Sequence, residues 1–153
     1  PLNNAGLLSV AGGALTVTGA LTNSGIVQLG GAGTQLAGAG QLTNTGTVQG
    51  AGNVGLRVAN SGTLEAIGGT LSFSASGNTN SASGTLAAGA GGKLLMTQGL
   101  ASNAGLIQLD GGTFDNAGVA LSNTGRILGH GTLRAGTLSN TNQLAFSFGD
   151  SSV

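Results

Sequence analysis

The chain has 153 residues, of which 32 are glycine; 5% are charged, 3% are aromatic, and there is one Pro and no Cys, Trp or Tyr. Four Lys+Arg balance four Asp+Glu, so there is no basic stripe for nucleic acid, and the lack of Cys excludes disulfides, zinc–thiolate centres and thiol catalysis. An apolar fraction of 39% with zero net charge excludes simple disorder, and the absence of a Gly-X-Y period excludes collagen.

No run approaches the roughly 18 apolar residues of a transmembrane helix, and no basic-then-apolar leader opens the chain. Membrane insertion is therefore not expected. The chain begins at Pro1 rather than Met and reads as a piece of a longer polypeptide, from which a secretion signal could have been removed.

Taken in chain order, one short phrase recurs: Asn-x-Gly-x-apolar. It stands at Asn4-Ala5-Gly6-Leu7-Leu8, Asn23-Ser24-Gly25-Ile26-Val27, Asn44-Thr45-Gly46-Thr47-Val48 and Asn60-Ser61-Gly62-Thr63-Leu64. A degenerate copy follows at Ala82-Ser83-Gly84-Thr85-Leu86. Two full copies come next, at Asn103-Ala104-Gly105-Leu106-Ile107 and Asn123-Thr124-Gly125-Arg126-Ile127. A second degenerate copy closes the series at Asn140-Thr141-Asn142-Gln143-Leu144. The spacings of 19, 21, 16, 22, 21, 20 and 17 average about 19 residues, a period that signals a solenoid.

The fifth position is apolar in all eight copies: Leu8, Val27, Val48, Leu64, Leu86, Ile107, Ile127 and Leu144. Its neighbours are mixed or polar, such as Thr47 before it and Gln28, Gln49, Glu65 and Gln108 after it. This period-two alternation marks a half-buried strand. Further apolar pairs follow the Gly-rich corners, namely Leu15 and Val17, Leu71 and Phe73, and Leu94 and Met96. Each repeat thus predicts two or three short strands between Gly and Asn corners.

One such repeat cannot bury a core, but stacked repeats can, with strands pairing about 4.8 Å above and below one another. The expected fold is all-β: a parallel β-helix, or β-solenoid, of about eight coils of roughly 19 residues. It would span 1–153 as a single unit and form a rod of roughly 40 Å. Coil lengths that vary between 16 and 22 suit a right-handed helix with adjustable loops, and the stretch from Ser74 to Ser81 is expected to bulge from one edge. Asn4, Asn23, Asn44, Asn60, Asn103, Asn123 and Asn140 are expected to stack as an amide ladder. In such a ladder each side chain donates to one neighbour and accepts from the other.

The phrases Leu-Thr-Asn-Ser-Gly-Ile-Val-Gln-Leu-Gly-Gly (21–31) and Val-Ala-Asn-Ser-Gly-Thr-Leu-Glu-Ala (58–66) resemble the β-strand repeats of large bacterial surface proteins. These are the filamentous-haemagglutinin-like exoproteins and autotransporter passenger domains. The resemblance covers nearly the whole chain and implies secretion to the cell exterior, in an adhesin, filament, sheath or biofilm matrix. It transfers no catalytic residue.

Residues that could carry chemistry are few. Asp110 and Asp115 flank Gly111-Gly112-Thr113-Phe114 and could meet at one coil edge, as an acidic-polysaccharide enzyme or a calcium site would need. They read more simply as corner carboxylates bonding turn amides. His130, between Gly129 and Gly131 with Arg126 and Arg134 on either side, reads as a solvated corner with no local acid. Arg57 and Arg134 are expected at similar places four coils apart, and Glu65 and Lys93 as isolated surface charges. Gly12-Gly13 and Gly30-Gly31 lack the Lys-Ser/Thr and helix of a phosphate loop. Thr16-Val17-Thr18 occurs once in its column, while Thr47, Thr63 and Thr85 form a single file, too little for an ice-binding face.

No catalytic, metal or cofactor set is assigned, and no enzyme activity is expected. The expected function is structural: a stalk, adhesin shaft or filament subunit. Its expected partners are its own ends or flanking coils, with surface carbohydrate or a host protein as the alternative. A polysaccharide-active enzyme stands third. Neither end carries an evident cap, the chain running out through Phe146, Phe148 and Asp150.

Overall fold

The computed structural model describes residues 1–147; Phe148 and Asp150 lie outside them. Within the described residues there is no helix, and every paired strand is parallel to its neighbours. The chain winds into a β-solenoid, as the repeat requires.

Two sheets run along it. The first stacks Leu2–Asn4, Leu21–Asn23, Gln41–Asn44, Arg57–Asn60, Thr79–Asn80, Ser102–Asn103, Leu121–Asn123 and Leu138–Asn140, each beside the next. Eight rungs enclose seven full turns. The second sheet holds the longer strands, among them Ile26–Ala37, Thr47–Val54, Thr63–Phe73, Leu106–Asp115 and Arg126–Arg134. Each of these bends at a glycine corner into two arms. Gly50 and Gly129 occupy the same inward column of the first arm, at φ 108° and 105°, a backbone region open to glycine and strained for other residues.

The all-apolar column of the repeat is continuous in register. Leu8 lies beside Val27, then Val48, Leu64, Leu86, Ile107, Ile127 and Leu144. From Val27 to Ile127 it is fully buried, while Leu144 on the last coil is 40% exposed. A second column joins Leu71, Leu94, Phe114 and Leu133, and a third joins Val54, Phe73 and Met96. These columns and the Leu21, Leu42 and Val58 stripe of the first sheet form one core down the axis. Each side chain packs on its own coil and on those above and below, so burial of about 1.5–3 kcal/mol per Leu-sized group depends on stacking.

Two expectations need correction. The first is the register of the fifth rung. It is Asn80, paired with Asn60 on one side and Asn103 on the other, not the phrase at Ala82. Ala82 and Ser83 are an insertion between Asn80 and Gly84, closed by the Gly84 N–H donating to the Ser81 carbonyl at 2.9 Å. Asn78 therefore takes the place aligned with Val58, where its Oδ1 accepts the Val58 N–H at 2.8 Å. The second is the bulge at Ser74–Ser81. Only 74–77 stand away as a loop; Thr79–Asn80 rejoin the first sheet, because the Asn80 amide is held between two neighbouring asparagines.

Candidate functional site

The most continuous chemical feature is the asparagine ladder. Asn4 Nδ2 donates to Asn23 Oδ1 at 2.7 Å, Asn23 to Asn44 at 2.7 Å, Asn44 to Asn60 at 2.8 Å and Asn60 to Asn80 at 2.8 Å. Asn80 then donates to Asn103 at 2.7 Å, Asn103 to Asn123 at 2.7 Å and Asn123 to Asn140 at 2.6 Å. All seven predicted asparagines are members, and Asn80 completes the line. The sequence signal for Asn80 was the Asn-Ser pair itself, masked by the two-residue insertion after it.

Each amide also ties down its own corner. Asn23, Asn44, Asn60, Asn103 and Asn123 donate to the carbonyl of the glycine two residues on. That glycine is fixed by close approach. A Cβ on Gly46 would collide with the Gly25 carbonyl one coil away, which is why the phrase pairs Asn with Gly. Asn23 through Asn123 are buried, and no buried side-chain polar atom among the described residues lacks a partner. The ladder also has a direction: every amide donates toward the C-terminal coil, so Asn4 ends with an open acceptor and Asn140 with no further ladder partner.

The charged groups are arranged differently from the expectation. Asp110 and Asp115 do not meet; the Gly111–Gly112 bend puts them on different arms of the second sheet. Asp110 is exposed, accepts from Gln108 Nε2 at 2.8 Å and lies in register with His130. Asp115 is buried, with Lys93 Nζ at 2.7 Å and Arg134 Nη1 at 3.3 Å from its Oδ2. Its Oδ1 accepts the Ala117 N–H at 2.9 Å, an Asx turn. Lys93 is thus not an isolated charge, and two of the three basic groups of coil seven, His130 and Arg134, have an acid beside them on the neighbouring coil. Arg57 and Arg134 do not share a place either: Arg57 heads a strand of the first sheet, and Arg134 ends one of the second. Glu65 is in register with Gln49 and Ala87, Arg126 with Leu106.

Burial works to raise the Asp115 pKa. The hydrogen bonds from Lys93 and Ala117 and the charges of Lys93 and Arg134 outweigh it and hold the carboxyl below its ordinary value. A carboxyl lowered in the fold contributes stability that is present above the unfolded value and lost as pH falls through the folded one. Stability should therefore decline below about pH 4, and Asp115→Asn should show a smaller decline. Equal acid-dependence in urea melts of the two proteins would refute the assignment.

Asn116, buried beside this carboxylate, accepts the Leu100 N–H at 2.6 Å and donates to the Leu100 carbonyl at 3.1 Å. It satisfies both backbone groups of Leu100, which lies outside any strand. Thr47, Thr63 and Thr85 do form one file, whereas Val17 between Thr16 and Thr18 is buried. No group of three His, Cys, Asp or Glu residues close enough to hold a metal occurs among the described residues.

No family profile, curated protein or solved structure matches this chain. The likeness to filamentous-haemagglutinin-like and autotransporter repeats therefore rests on the repeat phrases alone.

Proposed function

We propose that the chain is a structural rod, a segment of an extracellular bacterial stalk, adhesin shaft or filament that lengthens by stacking further coils. The observation that carries this reading is the one-way asparagine ladder, running beside continuous apolar columns through all eight rungs. Among the described residues, Leu2–Asn4 pairs on one side only, and so do Leu138–Asn140 and Leu144–Phe146. Such strand edges template further strands. Leu2, Leu144 and Phe146 are exposed at these edges, and the open Asn4 acceptor at one end complements the open donor side of Asn140 at the other. A coil added at either end, from the same chain or another copy, continues both the ladder and the core. A head-to-tail joint between unlike ends does not close on itself and so propagates. The extracellular placement rests on the resemblance of the repeats.

Electron microscopy of the concentrated protein should show rods longer than the roughly 34 Å spanned by seven coil intervals at about 4.8 Å each. The combined change Leu2→Lys and Leu144→Lys should shorten them by placing charge in the joint, and added salt should have little effect. A parent protein that stays a single short rod at high concentration would count against end-to-end stacking between copies.

A further inference from the structure

The turn from Asn44 to Asn60 is the shortest in the solenoid, at 16 residues, against 21 before it and 20 after it. The shortfall is local. Between Gly30 and Gln35 the preceding coil places four residues, where this coil has one, Gly52, between Ala51 and Asn53. The following coil places four residues between Ala66 and Leu71, where this coil has only Ala51 between Gly50 and Gly52. A short bend lies between two long ones, and the result is a cleft of about 320 Å³. Ala32 and Gly33 form one wall, Thr70 stands on the other, and Gly52 and Asn53 form the floor.

The cleft is built rather than merely open. A side chain on Gly52 would collide with Thr34 Oγ1 and Leu29 Cδ2, so this floor position is held to glycine. Thr34 is buried, and its hydroxyl lies 2.7 Å from the Gly31 carbonyl and 3.1 Å from the Ala51 carbonyl. It pins the overhanging wall to the coil below. The Ser72 hydroxyl lies 3.0 Å from Asn53 Oδ1 and 3.2 Å from the Gly52 carbonyl, and the Asn53 Nδ2 protons have no side-chain or backbone acceptor among the described residues. The Gln35 amide and the Thr70 hydroxyl are both exposed and have no side-chain hydrogen bond among the described residues. The lining thus offers amide, hydroxyl and peptide donors and acceptors, with no ionised group and no large apolar side chain.

We propose that this cleft binds one neutral sugar unit of a glycan. The chemistry selects the class. A ligand that meets only amides, hydroxyls and peptide groups must carry many neutral groups that both donate and accept, and the volume, at the lower end for small-molecule sites, suits one pyranose ring. Charged ligands find no counter-charge here; the nearest cation-bearing cleft, beside Arg57 and Gln41, is a separate one. Pre-organisation by Thr34 and Ser72 reduces the ordering cost of binding.

The test is a titration of the ¹⁵N-labelled chain with glucose, galactose, mannose and N-acetylglucosamine, with glucuronate as the charged probe. It is read at the side-chain NH₂ resonances of Gln35 and Asn53. At least one neutral sugar should shift both saturably, with a Kd of about 1 mM. Gln35→Ala, an exposed truncation, should weaken it by about fivefold, the worth of one hydrogen bond, at an unchanged denaturation midpoint. Thr70→Val should act in the same direction. The proposal is overturned if no neutral sugar shifts these resonances. It is also overturned if Gln35→Ala titrates like the parent, or if glucuronate alone binds and its shifts centre on Arg57. None of these results bears on the rod reading, which is decided by particle length.

Discussion

Truncating Phe73 to alanine is expected to lower stability by about 3–5 kcal/mol, the range for emptying a buried aromatic site. Phe73 is fully buried and lies in register between Val54 and Met96 on the second arm. The cavity would open on the axis of the solenoid, where three successive coils touch the same ring. Collapse to fill it is resisted, because the backbone spacing between coils is set by hydrogen bonds about 4.8 Å apart and not by side-chain size. Phe146→Ala, at a site 37% exposed on the last described coil, should cost less than about 1 kcal/mol. Urea denaturation monitored by circular dichroism gives both values. Equal midpoints for the two variants would show that the second-arm column is not the core.

Replacing Asn60 with alanine should cost about 2–4 kcal/mol, since each buried polar group left unpaired costs about 1–3 kcal/mol. Asn60 accepts from Asn44 at 2.8 Å, donates to Asn80 at 2.8 Å and to the Gly62 carbonyl at 3.1 Å. Its removal strips the donor from the Asn80 oxygen and the acceptor from the Asn44 amide, both inside the stack. The same change at Asn4, on the first rung and only partly buried, interrupts one ladder contact instead of two and leaves the freed groups near solvent. It should cost well under half as much. If the two substitutions are equivalent, the asparagines act as independent turn formers and the ladder carries no cooperative stability. Asn60→Asp sharpens the point, because a carboxylate facing the Asn80 oxygen replaces a donor with a repelling acceptor. The defect should shrink on acidification as the carboxyl gains a proton.

These two residues also mark how far the residue order by itself determined the structure. The apolar column and the Asn-x-Gly corner repeat locally, within five residues, so the residue pattern alone determined an all-β stacked solenoid, its inward face and seven of its ladder asparagines. Asn80 escaped because Ala82 and Ser83 separate it from its glycine, and only strand pairing with Asn60 and Asn103 restores its place. The environment of Asp115 was not legible because its partners Lys93 and Arg134 lie about one coil away in each direction along the chain. They meet it only through the register of three coils, and that register depends on where each bend takes up its extra residues. The cleft above Gly52 has the same origin: the lengths of the turns are written in the sequence, but whether a short turn is short at a corner or along a strand is decided by hydrogen bonding to the coils on either side. Properties carried by one coil could be read from the residue order. Properties carried by the contact of successive coils, the ion pairs of the buried Asp115 and the recess between two overhanging bends, exist only once the stack has formed.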